Sequence, residues 1–172
     1  RIPDQFDGTA SELLERTDER GALDDLIERT GIAPVVDNHI DDLSGGELQR
    51  VALVATLARD ADFYFLDEIT PYLDIGQRVT AARLIQELSA DDRSMLVVEH
   101  DLAVLDLLAD ALHVAYGEPG VFGVITPPKS TKGGINEYLT GYLENENMRI
   151  RPQAIEFEEH APRTGGYGET LV

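Results

Sequence analysis

Cysteine is absent from the 172 residues. That excludes disulfides, thiolate metal sites, iron–sulfur clusters and cysteine nucleophiles within this chain. Lysine is nearly absent: Lys129 and Lys132 are the only two, and the other cations are arginines. No run of about 18 apolar residues occurs, so the sequence predicts no transmembrane helix. The opening Arg1-Ile2-Pro3-Asp4 has no apolar signal core. It also lacks an initiator methionine, as expected of a piece of a longer polypeptide.

What is present is acid. Asp and Glu number 33 against 14 Lys and Arg, for a formal net charge of -19. The acids are spread along the chain rather than gathered in one tail. Near 1 M salt the Debye length is roughly 3 Å, so the self-repulsion of such a surface is largely screened. An acidic, lysine-poor surface predicts an extreme halophile as source; the alternative is an acidic mesophilic protein. In ordinary salt the charge opposes nucleic-acid binding, but at molar salt it does not exclude a ribosome-sized partner. Apolar residues make up 42% of the chain, enough for a packed core and against global disorder. The length predicts one domain.

Periodicity predicts helix over residues 9–30, capped by Thr9 and divided at Gly21, with a break at residues 31–34. A turn over 41–46 leads into a helix over 47–59. Residues 63–66 and 95–98 read as buried strands, with helices over 75–88 and 102–109. Two further strands are expected at 112–116 and 121–125, around the turn residues 117–120. A short helix follows Gly134 and runs to about Leu143. Residues 161–168 read as a linker. Strands alternating with helices predict an α/β fold with a mostly parallel sheet flanked by helices.

Three groups of residues carry chemistry. The first is Leu43-Ser44-Gly45-Gly46-Glu47-Leu48-Gln49-Arg50. Ser44 and Glu47 have capping-box spacing. The two glycines at the helix entry let a phosphate approach backbone N–H groups. Alone, a Ser-x-x-Glu pair is a common helix cap that needs no ligand. The second group is Asp67-Glu68 at the end of an apolar strand. Nucleotide enzymes hold Mg²⁺ on such a carboxylate, and a neighbouring Glu can polarise water. Apolar strands ending in acid are frequent, so this pair is ambiguous by itself. The third is His100, just beyond the second strand, where it can reach a γ-phosphate at the same sheet edge. A lone His in that place is more often a surface or capping residue.

The order of these groups is more telling than any one of them. Glycine turn and helix, strand with Asp-Glu, Tyr72-Leu73-Asp74, then strand with His100 resembles the second half of an ATP-binding-cassette ATPase domain over about residues 40–126. The resemblance implies ATP and Mg²⁺ as cofactors. It makes Ser44, Gly45, Gly46 and Glu47 the signature loop, facing the γ-phosphate of ATP held by an opposing cassette. Asp67 becomes the Mg²⁺ residue, directly or through water; Glu68 becomes the catalytic carboxylate and His100 the switch histidine. Asp74 is placed in the D-loop, signalling across the dimer interface. The family's usual Pro after Asp-Glu is replaced by Ile69-Thr70, with Pro71 two places later, which puts the turn beside Glu68 in question. No G-x-x-x-x-G-K-[ST] occurs anywhere in the chain, so the P-loop half of such a domain is missing. The fragment alone is therefore expected neither to bind ATP tightly nor to hydrolyse it.

The runs Val98 to Asp106, Tyr116 to Pro127 and Gly141 to Arg151 narrow the resemblance. They are similar to the first cassette of the RNase L inhibitor family, twin-cassette ATPases that recycle ribosomes. That implies a C-terminal part of a nucleotide-binding domain over 1–143, with a helical region at about 9–42 and the signature-to-histidine core at 43–126. Residues 144–172 become a hinge toward a second cassette. The implied partners are that second cassette, the ribosomal small subunit and termination or recycling factors. The implied location is cytoplasmic, with no membrane. The family's iron–sulfur domain is expected to lie outside this chain, which has no cysteine to hold a cluster. Two rival readings remain: a nucleotide-binding subunit of an ABC transporter, and an inactive truncated interaction module.

Overall fold

The computed structural model describes residues 6–155. The contacts divide the chain into two compact units, one ending at Asp110 and the other beginning at Ala111.

In the first unit, α1 (Ala10–Thr17) opens with a capping box in which Thr9 and Glu12 satisfy each other's backbone N–H. Gly21, at φ +66°, lies between α1 and α2 (Leu23–Thr30), the division expected there. Gly31 ends α2 in a left-handed cap, a conformation glycine adopts without a Cβ penalty. Two short 3₁₀ turns, Ala33–Val35 and Ile40–Asp42, lead to α3 (Gly45–Leu57). The helix starts two residues before the expected Glu47, because Ser44 is the cap and Glu47 lies inside the first turn. Then follow β1 (Phe63–Asp67), α4 (Ile75–Ser89), β2 (Ser94–Val98) and α5 (Leu102–Leu108).

β1 and β2 pair in parallel, with Asp67 opposite Val98, as expected for the core of an α/β fold. The ladder continues one step past β1, where the Glu68 N–H donates to the Val98 carbonyl at 2.8 Å. The expectation that both strands are fully buried needs correction. Tyr64 and Leu66 join a core with Leu14, Ile40, Val51 and Val54, and Met95 and Val97 pack against it. The opposite face, with Phe63, Phe65, Leu96 and Val98, is exposed, Phe63 and Phe65 each at 56%. The side-chain period of two splits an all-apolar strand between two faces. Among the described residues, the packed core lies on only one of them.

In the second unit, β3 (Ala115–Glu118) and β4 (Phe122–Ile125) form an antiparallel hairpin. β3 starts later than the expected 112: Leu112 instead bridges Lys129, each N–H donating to the other's carbonyl at 2.9 Å. Gly117 and Glu118, expected in the turn, pair with Gly123 and Phe122. α6 runs Thr131–Thr140 rather than from beyond Gly134 to about Leu143. Ser130 caps it, accepting from the Gly133 N–H. Gly134 lies against Leu112, and a Cβ there would come within 2.7 Å of that side chain. Close packing, not a loop, is thus the reason for this glycine. Leu143 belongs to β5 (Tyr142–Leu143), which pairs with β6 (Met148–Arg149). The buried Lys129 Nζ meets Glu137 at 2.9 Å and Glu146 at 3.0 Å. The expected linker at 161–168 lies outside the described residues.

Candidate functional site

The glycine turn is a local construction. Ser44 precedes α3 in extended conformation (φ -63°, ψ 160°). Its N–H and its hydroxyl both donate to Glu47 Oε2, at 2.8 and 2.6 Å, and its Oγ accepts from the Glu47 N–H at 3.4 Å. The hydroxyl contact, first among the influences on it, holds the Glu47 carboxyl below the usual carboxylate range. Ionised Glu47 beside the N-terminal end of α3 is also favoured by the helix dipole.

The two glycines have an intramolecular reason as well. A Cβ on Gly46 would stand 2.8 Å from the Tyr72 carbonyl oxygen, and one on Gly45 would stand 3.1 Å from the Tyr72 ring. At Gly46 only glycine lets the Tyr72 backbone approach α3 this closely, whereas at Gly45 the Tyr72 ring would have to shift slightly. Tyr72 itself is 80% exposed and has φ +66°.

The strand ends assemble a second group from distant parts of the sequence. Glu68 follows β1 in a left-handed conformation, φ +51°. Its Oε1 lies 2.6 Å from Nε2 of His100, which follows β2. Both side chains are exposed, so a ligand or water can reach them. The two sequence-predicted catalytic residues are thus brought into direct contact, because the parallel register sets the strand ends side by side. Asp67 is exposed and, among the described residues, its carboxylate makes no hydrogen bond or ion pair. Asp74 caps α4, accepting from the Gln77 N–H at 2.8 Å, while Gln77 Oε1 accepts from the Asp74 N–H.

Four residues that sequence reasoning did not single out hold this group in place. The Gln49 side-chain amide donates to the carbonyls of Glu68 (3.0 Å) and Ile69 (3.2 Å). Glu99 accepts from the Thr70 N–H at 2.9 Å and the His100 N–H at 2.8 Å. Asp101 caps α5 and pairs with Arg78 at 2.6 Å, and Arg78 Nε donates to the Leu73 carbonyl. Burial is the largest single influence on Asp101 and pushes its carboxyl up. The Val104 and Ala103 amides with Arg78 outweigh it and hold that carboxyl below the usual range. The signals were legible in outline: Gln49 shares a helix face with Gly45, and Glu99 and Asp101 flank His100.

The replacement of proline by Ile69-Thr70 leaves an ordered turn. Ile69 and Leu73 are buried in the core, and Thr70 accepts from the Leu73 N–H. A cleft of about 260 Å³ beside Leu73, Asp74, Arg50 and Gln77 does not reach Glu68 or His100.

The donor set suits Mg²⁺ held largely by a nucleotide. Among the described residues no cluster of three or more His, Asp or Glu could cage an ion. Mg²⁺ bound with nucleotide typically uses one or two carboxylates, phosphate oxygens and water. The unengaged Asp67 carboxylate at a strand end meets that need.

The ABC transporter family profile matches residues 4–71. An uncharacterized ABC transporter ATP-binding protein of Methanocaldococcus jannaschii is 46% identical over 160 residues, 93% of this chain and 26% of that protein. The chain spans about a quarter of the length of the curated relatives it matches. Two solved structures superpose with a TM-score of 0.89, each over 99% of this chain and 33% of theirs. One, 53% identical, is an archaeal ribosome recycling factor in complex with an archaeal ribosomal stalk protein. The other, 52% identical, is an RNase-L inhibitor.

Proposed function

The chain belongs to the ABC ATPases, within the RNase L inhibitor family, and from that premise we propose that it forms the later half of a first cassette in a twin-cassette, ribosome-recycling ATPase. The observation that carries the reading is the Glu68–His100 contact of 2.6 Å across adjacent parallel strand ends. Glu68 accepts a proton from water as that water attacks the γ-phosphate, and His100 fixes the carboxylate and stabilises its proton. Asp67 would hold Mg²⁺, directly or through water, and the ion would supply positive charge against the charge that develops on the transferred group. Ser44 through Glu47 face a nucleotide held by the second cassette, with the backbone N–H groups of α3 directed at phosphate.

Closure of the two cassettes around ATP is the motion that separates ribosomal subunits, and hydrolysis reopens it. The place of action is the cytoplasm, and the partners are the second cassette, the small ribosomal subunit and recycling factors. Residues 1–143 are the cassette portion and 144–172 the hinge. The acidic, lysine-poor surface suits work at molar salt, where stability should increase over that in dilute buffer.

The test is steady-state ATP hydrolysis by the whole polypeptide containing this chain, with and without Glu68→Gln. Loss of turnover with retained nucleotide binding is expected; unchanged turnover overturns the assignment. The isolated 172-residue chain is expected to show no turnover, because it lacks the phosphate-binding lysine of a P-loop. ATP-dependent retention on small ribosomal subunits, rather than recovery with membranes, separates recycling from transport.

A further inference from the structure

We infer that Gln49 is a positioning residue that sets the backbone of Glu68, tying the catalytic carboxylate of one ATP site to the signature helix that serves the other. The inference rests on the function proposed above.

Glu68 stands at φ +51°, which is uncommon for a residue with a side chain and costs free energy unless its surroundings fix it. Three ties fix it. The N–H is held by the Val98 carbonyl at 2.8 Å. The carboxylate is held by His100 at 2.6 Å. The carbonyl is held by Gln49 at 3.0 Å. The first two come from β2 and the residues after it; the third comes from α3.

A primary amide has two N–H donors, and here one nitrogen reaches two consecutive carbonyls, those of Glu68 and Ile69. Both peptide planes on the C-terminal side of Glu68 are thereby referred to α3. Gln49 lies four residues after Gly45, one helical turn along the same face. The two glycines at the start of α3 meet Tyr72, in the same segment that follows Glu68. A shift of α3 when its glycine turn meets nucleotide therefore displaces Gln49, and Gln49 displaces the Glu68 peptide. Errors of about 1 Å in such a group can cost about a hundredfold in rate.

The decisive variant is Gln49→Glu in the whole twin-cassette protein. It keeps the size and helix propensity of the side chain but replaces the donor with an acceptor facing two carbonyls. kcat is expected to fall about ten- to a hundredfold, with KM for ATP unchanged and faster hydrogen exchange at the amides of residues 68–73. Gln49→Lys, which restores an N–H donor, should recover part of kcat and part of the protection. In a Glu68→Gln background, Gln49→Glu should add no further loss.

Unchanged exchange over 68–73 in Gln49→Glu overturns the inference whatever the ATPase result. So does a parallel change in kcat and KM, or an additive loss on top of Glu68→Gln. If Glu68→Gln alone leaves turnover intact, the proposed function fails, and the exchange measurement still decides whether Gln49 holds this turn.

Discussion

The glycine turn and the carboxylate–histidine pair are built by different physics. Ser44 and Glu47 find each other across three residues, on a helix whose first turn needs a cap. Glu68 and His100 are separated by 32 residues and meet only because β1 and β2 lie parallel in one register. The first arrangement depends on local sequence. The second depends on everything that holds the two strands together. The Ser44–Glu47 cap thus rests on a local motif and the Glu68–His100 contact on the tertiary fold.

That contrast can be broken or sharpened by four measurements. The largest effect is expected at the pair. Glu68→Gln should lower turnover of the whole polypeptide by about 10²- to 10⁴-fold, the range typical of a general base, while leaving the cap of α3 intact by amide exchange. Next comes the core beneath the pair. Leu66 is 5% exposed, and Leu66→Ala should cost about 2–5 kcal/mol in denaturant unfolding. Phe65→Ala, on the exposed face, should cost far less. Exchange should rise at residues 68–70 in Leu66→Ala well before it rises at 46–48.

A smaller effect is expected at the cap. Ser44→Ala should destabilise by about 1 kcal/mol, with the exchange change confined to the first turn of α3. Equal disturbance of the strand ends would show that the turn is not local after all. The smallest effect is one of pH. Glu47 sits below its ordinary value of 4.5. Its contribution to the cap is therefore present above that value and is lost as pH falls through its lower folded-state value. Exchange-independent chemical shifts of Ser44 and Glu47 between pH 5 and strong acid check the sign, with a null response expected in Glu47→Gln.

The same division governs what could be read in advance. The capped starts of α1 and α3 were legible because a cap and its partner lie three residues apart, whereas the Asp74–Gln77 box of α4, with the same spacing, was passed over. The parallel strands were legible as apolar runs ending in acid. The two sides of those strands were not: Phe63, Tyr64, Phe65 and Leu66 are all apolar, so alternation could not say which pair faces the core. The helix expected after Gly134 begins at Thr131 instead, where Ser130 caps it, and Gly134 is there because Leu112 packs against it. The ties from Gln49 to the Glu68 carbonyl and from the Thr70 N–H to Glu99 were invisible as ties, since each spans 19 or more residues and depends on how α3, β1 and β2 are set together.

The sequence by itself determined the family, the order of the glycine, Asp-Glu and His groups, and the helix caps at Thr9 and Ser44. These are properties of composition and short spacing, which local hydrogen bonding and hydrophobic periodicity convert directly into structure. Only the tertiary structure decided that His100 touches Glu68, that the Tyr72 carbonyl leaves no room for a Cβ at Gly46, and that Gln49 holds the Glu68 peptide. Those contacts exist only when packing and register bring distant segments within hydrogen-bonding range.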